Sequence, residues 1–97
     1  MIEITRQHGV TTVAISGRFD FQCITEFKPV LQTDDHRWIV DLSRASYVDS
    51  AALGMLLLLR ERAGGDSARV TIRGVCGQPQ EVLRIARFDR MFTIEAT

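Results

Sequence analysis

Ser50 directly follows Asp49 and heads an apolar run, Ala51 to Leu59. A hydroxyl in that place has two uses. As a cap, either Asp49 or Ser50 accepts a hydrogen bond from a free amide in the first turn of a helix. As a phosphoacceptor, Ser50 would carry about −1.5 to −2 charges into the positive end of the helix dipole, where free amides bind anions. The fold would tolerate the added group. A partner seated beside a neutral serine would instead meet a buried, poorly paired dianion.

Other chemistry-bearing side chains are sparse. Asp20, Asp41 and Asp49 could gather at strand ends, as acids do in phosphoryl-transfer sites of α/β folds, or serve as helix caps. No glycine-rich phosphate loop, paired catalytic histidine or Cys-His arrangement accompanies them, so the chain reads as a binding module and not an enzyme. Cys23 and Cys76 are far apart and lack CxxC spacing, and read as reduced core or half-buried thiols. His8 and His36 sit in turn-like contexts. No metal site or cofactor is expected.

The elements that must position Ser50 follow from hydrophobic period. Ile2, Ile4 and Arg6 alternate, Gln7-His8-Gly9 reads as a turn, and Val10 to Ser16 alternates again, which predicts a hairpin ended by Gly17. Asp20 caps a helix predicted over 21–32, with Ile24, Phe27 and Leu31 on its inner stripe and a kink or break at Pro29. Trp38 to Leu42 is a short buried strand. A loop over 43–49 leads into a helix from about Ser50 to Ala63, stopped by Gly64-Gly65. Arg69 to Arg73 alternates as a strand. Gln78 to Phe88 forms a last amphipathic helix with Pro79 in its first turn, and Met91 to Ile94 a terminal edge strand. Strands alternating with helices need crossovers. The expected fold is therefore α/β, one domain over 1–97, with a mixed sheet, mostly parallel with an N-terminal hairpin, covered by helices.

The helix after Ser50 departs from what stability alone requires. At 100° per residue, Ala52, Leu56, Leu59 and Ala63 fall on one stripe, flanked by Leu53 and Met55. The opposite face carries Ser50, Gly54, Leu57, Leu58 and Glu61. Two adjacent leucines beside a glycine and a serine make a small apolar patch that something should cover. Gly54 gives up about 1 kcal/mol of helix propensity relative to alanine and allows close approach. This face is expected to dock a partner.

Twelve basic residues balance twelve acidic ones, so no long-range field draws in nucleic acid or an anionic membrane. The longest apolar run is too short to span a bilayer, and the first residues lack the layout of a signal peptide. The expected location is cytoplasmic.

Val40-Asp41-Leu42-Ser43, followed by the run Tyr47-Val48-Asp49-Ser50-Ala51-Ala52-Leu53-Gly54-Met55-Leu56, resembles the signature of STAS domains, in particular of bacterial anti-sigma-factor antagonists. Val13 to Asp20 and Arg87 to Phe92 resemble the family's second strand and closing segment. The resemblance implies that Ser50 is phosphorylated by an anti-sigma factor that is also a GHKL-type serine kinase, and that a PP2C-type phosphatase reverses this. The unphosphorylated form would sequester the anti-sigma factor. Partner-binding residues would be Asp49, Ser50, Ala51, Gly54, Leu57, Leu58 and Glu61, with Arg18 and Asp20 from the neighbouring turn. Arg18 is the candidate to meet phosphoserine or the kinase's nucleotide, or is an ordinary solvated arginine. Ala51-Ala52 departs from the family's usual Ser/Thr-Gly, which leaves Ser50 without a competing hydroxyl. Similar domains also serve as subunits of ABC-type lipid transporters that bind the ATPase through the same helix, and this is the alternative role.

Overall fold

Alternating residues set the first two strands. β1 (Ile2–Gln7) and β2 (Val10–Phe19) pair antiparallel in the computed structural model, which describes residues 1–95. The last two residues of the expected 1–97 domain lie outside the described residues. His8 and Gly9 form the turn with φ of 54° and 78°. Two successive positive φ values are what a two-residue hairpin needs to match strand twist, and glycine meets that need without strain.

From β2 the sheet continues in parallel through β3 (Arg37–Val48), β4 (Val70–Arg73) and β5 (Thr93–Glu95), in the spatial order β1-β2-β3-β4-β5. Helices α1 (Ile24–Leu31), α2 (Ser50–Arg62) and α3 (Gly77–Ile85) make the three connections. The mixed, mostly parallel sheet with its N-terminal hairpin is thus the observed one. Along β2 and β3, Val13, Ile15, Val40 and Leu42 are buried, while the intervening Thr12, Ala14, Ile39 and Asp41 are half-buried. The helices cover the apolar face with Phe27, Val30, Ala52, Leu56, Leu59 and Leu83. Each large side chain sealed in this way contributes about 1.5–3 kcal/mol relative to exposure.

Several boundaries differ from the sequence reading. β3 does not stop at Leu42, and the expected loop over 43–49 is strand as far as Val48. Register shifts between Ala14 and Ser16 and between Gly17 and Arg18 let β2 follow it, so Gly17 bends the strand with φ of 76° instead of ending it. Asp41 stabilises the bend. Its carboxylate accepts the Ser43 amide at 2.9 Å and pairs with Arg73 at 3.4 Å. Burial pushes the Asp41 carboxyl up, but the Ser43 hydrogen bonds and the Arg73 guanidinium together outweigh it and hold the group below the usual carboxylate value. Gly74 packs so closely here that a Cβ would lie 2.8 Å from that of Ser43.

The α1 stripe also shifts. Phe21–Cys23 is a separate 3-10 turn capped by Asp20, which changes the helical phase. Phe27 and Val30 face inward, and Ile24 is 47% exposed instead of buried. The helix runs through Pro29 to Leu31 without breaking there. α3 ends at Ile85, short of Phe88, because Arg87 takes a left-handed φ of 57° and Phe88 begins a new 3-10 turn. Cys23 is buried and free, as expected, whereas Cys76 is exposed and not half-buried.

Candidate functional site

Parallel strands joined by helices place every helix start along one end of the sheet, the place where open α/β folds bind their ligands. That end holds the Asp20–Phe21 turn after β2, the Asp49–Ser50 turn after β3 and the Gly77–Gln78 start of α3. The first two are adjacent because Phe19 pairs with Val48. The expected neighbourhood of the Gly17–Asp20 segment and Ser50 is therefore present, with Gly17 to Phe19 inside the strand.

Asp49 decides which residue caps α2. One of its carboxylate oxygens accepts the Ala52 amide at 2.9 Å, and the other accepts the Phe21 amide at 3.1 Å. A single side chain thus closes the first turn of α2 and ties it to the turn that precedes α1. A cap of this kind is worth about 1 kcal/mol. Ser50 is left as the first residue of the helix, exposed and without a capping role.

Below Ser50, the two faces of α2 separate as the helical period requires. Ala52, Met55, Leu56 and Leu59 are buried, with Leu53 and Ala63 half-buried beside them. Leu57 is 39% and Leu58 54% exposed, Glu61 is exposed, and Ala51 and Gly54 are half-buried. Apart from the helix's own adjoining backbone, a Cβ built on Gly54 meets no atom of the described residues within 4 Å, so no packing among them requires glycine there.

Arg18 and Asp20 work as a unit. The Arg18 Nε donates to the Asp20 carboxylate at 3.3 Å, and its guanidinium lies 4.2 Å from the centroid of the Tyr47 ring. Asp20 is 6% exposed, and its second oxygen accepts the Gln22 amide at 3.0 Å. Its carboxylate is thus occupied by the turn and by Arg18. Arg18 itself stays largely exposed at the strand end. Asp41, weighed with these acids, belongs to the β3 bend and not to a cluster with them.

The sequence reading gives three residues here no role at the site, and it places one of them, Ile24, on the inner stripe of α1. Phe21 and Ile24 are 62% and 47% exposed. Their signal was the pairing of two apolar residues that the Phe27–Val30 stripe cannot also accommodate. Gln78 spans from the start of α3 to the end of β3: its Oε1 accepts the Val48 amide at 2.9 Å, and its Nε2 donates to the Val48 carbonyl at 3.0 Å. A glutamine before a proline gives no sequence signal for such a role.

The architecture is thus a five-stranded mixed sheet with a capped, half-exposed helix after its third strand. The family model described as "Mlab, STAS domain" matches residues 2–94, and the chain belongs to this family. A STAS-domain containing protein of Pseudomonas aeruginosa (strain UCBPP-PA14) is 40% identical over 86 residues, covering 86% of this chain and 85% of the relative. Among solved structures, an anti-sigma factor antagonist from Mycobacterium paratuberculosis superposes with a TM-score of 0.86 at 18% identity, covering 100% of this chain and 86% of that one. The anti-sigma factor antagonist SpoIIAA in its unphosphorylated form superposes at 0.78 and 12% identity, covering 100% and 89%. These structural likenesses establish the shared fold.

Proposed function

We propose that this protein is an anti-sigma-factor antagonist, a cytoplasmic binding module whose outer α2 face sequesters an anti-sigma factor and is switched by phosphorylation at Ser50. The carrying observation is the arrangement at the head of α2: Asp49 performs the capping, Ser50 stands exposed beside it, and Gly54, Leu57 and Leu58 lie uncovered on the same face. Two structural neighbours are anti-sigma factor antagonists, one of them in an unphosphorylated form, and this supports the reading.

The partner would be an anti-sigma factor with a GHKL-type serine kinase site, and a PP2C-type phosphatase would restore the serine. A phosphate on Ser50 would sit at the positive end of the α2 dipole, so the fold would hold while the docking face became dianionic. Arg18, exposed near the same rim, would offer a cation to the phosphate or to the kinase's nucleotide. Asp20 would contribute by holding Arg18. Ala51, Gly54, Leu57, Leu58 and Glu61 would form the contact surface.

The test is incubation with GHKL-type serine kinases and ATP, followed by mass mapping and binding measurements. Modification is expected at Ser50. Ser50→Ala should bind the kinase constitutively, and Ser50→Asp should bind at least about tenfold more weakly. Modification elsewhere, or equal binding by both variants, refutes the switch. A stable complex with a transporter ATPase without phosphoserine would instead assign the alternative transporter role.

A further inference from the structure

β3 projects beyond β4. Its pairing with β4 ends at Asp41 opposite Arg73, while β3 runs on to Val48 paired with β2 alone. Over those residues one edge of β3 has no neighbouring strand among the described residues, and a strand's amide and carbonyl groups need partners. At Val48, one residue before the cap of α2, both groups are met by the primary amide of Gln78. That side chain offers one acceptor and one donor in the fixed plane of a peptide group. It takes the place of a missing strand residue.

We propose that Gln78 is a positioning residue for Ser50: it fixes the last residue of β3, and through it the Val48-Asp49-Ser50 turn, in the geometry presented to the kinase. The inference rests on the phosphoswitch reading above and adds that α3 takes part in it. Phe19 holds Val48 from the β2 side, and Gln78 holds it from the α3 side. Asp49 then directs its two oxygens at Phe21 and Ala52 from a backbone pinned on both flanks. Without the glutamine amide, one flank is free, and Ser50 is presented in a broader range of positions.

Gln78→Met keeps the shape and removes both hydrogen bonds. Gln78→Glu keeps the acceptor for the Val48 amide but sets a carboxylate oxygen against the Val48 carbonyl. Val82→Ala, elsewhere on α3 and half-buried against the core, controls for general loosening of that helix. In Gln78→Met, hydrogen exchange of the Val48 amide should quicken by about three- to tenfold, with displaced amide resonances of Asp49, Ser50 and Ala52. With the kinase that modifies the wild-type chain, kcat for Ser50 should fall about tenfold or more while KM stays within about twofold. Gln78→Glu should show the same kcat loss, and Val82→Ala should show none. Unchanged kcat in Gln78→Met, or an equal loss in Val82→Ala, overturns the proposal. If the wild-type chain is modified by no kinase, the phosphoswitch reading fails on its own. The exchange and resonance measurements then decide whether Gln78 holds the turn: unmoved Asp49 and Ser50 signals overturn that as well.

Discussion

Replacing Gly54 with alanine should strengthen the fold and weaken the function. Gly54 lies inside α2, where alanine is favoured by about 0.8–1.0 kcal/mol. The usual counterweight, collision of the new methyl, is absent because, apart from the helix's own adjoining backbone, no atom of the described residues lies within 4 Å of the Cβ position. The full propensity gain should therefore appear as stability, raising Tm by roughly 4–8 °C for a domain of this size. The same methyl would project from the outer face, between Ser50 and the exposed Leu57 and Leu58. A partner packed closely there would be overpacked at a cost of about 1–3 kcal/mol, which weakens Kd about fivefold to a hundredfold. Urea unfolding with an unchanged slope, together with a titration against the proposed kinase partner, reads both effects. A variant that is stabilised yet binds like wild type would refute the claim that a partner approaches Gly54. A destabilised variant would refute the account of open space above it.

Leu58→Gln should change unfolding free energy by no more than about 0.5 kcal/mol in urea titration, because the side chain is more than half exposed, yet weaken partner binding about tenfold. Asp35 and Asp41 each make the fold sensitive to acid. The Thr11 hydroxyl, against a smaller effect of burial, and then Arg6 hold the Asp35 carboxyl below its ordinary 3.8, and Asp41 is depressed likewise. Depressed carboxylates contribute stability that is complete above the unfolded value and is lost as pH falls through the folded one. The urea midpoint should thus be insensitive to these groups above about pH 5 and fall below pH 3.8, and Asp41→Asn should flatten part of that fall.

The order of elements was legible because each strand and helix carries its own period, and so was the division of α2 into two faces. The end of β3 was not. Ser43, Arg44, Ser46 and Tyr47 read as loop because they are polar or alternate poorly, and only the bulged partner strand makes them β. Ile24 was misassigned because a 3-10 turn alters the phase just before it, and no local residue announces that change. The choice between Asp49 and Ser50 as cap was open for a similar reason: both types can cap, and the second hydrogen bond, to Phe21, that accompanies Asp49 in this role depends on a strand pairing 28 residues away. Gln78 was beyond reach, since its role exists only where two distant segments meet.

The rim at the strand ends is composed of turns at Asp20, Asp49 and Gln78, drawn from most of the length of the chain. No contiguous fragment carries all three turns, so the rim is complete only once α3 has docked beside the end of β3. A partner of the proposed kind, binding the folded chain and not the unfolded one, would at a hundred times Kd deepen the native well by about 2.7 kcal/mol, and without it the same chain would lie closer to proteolysis.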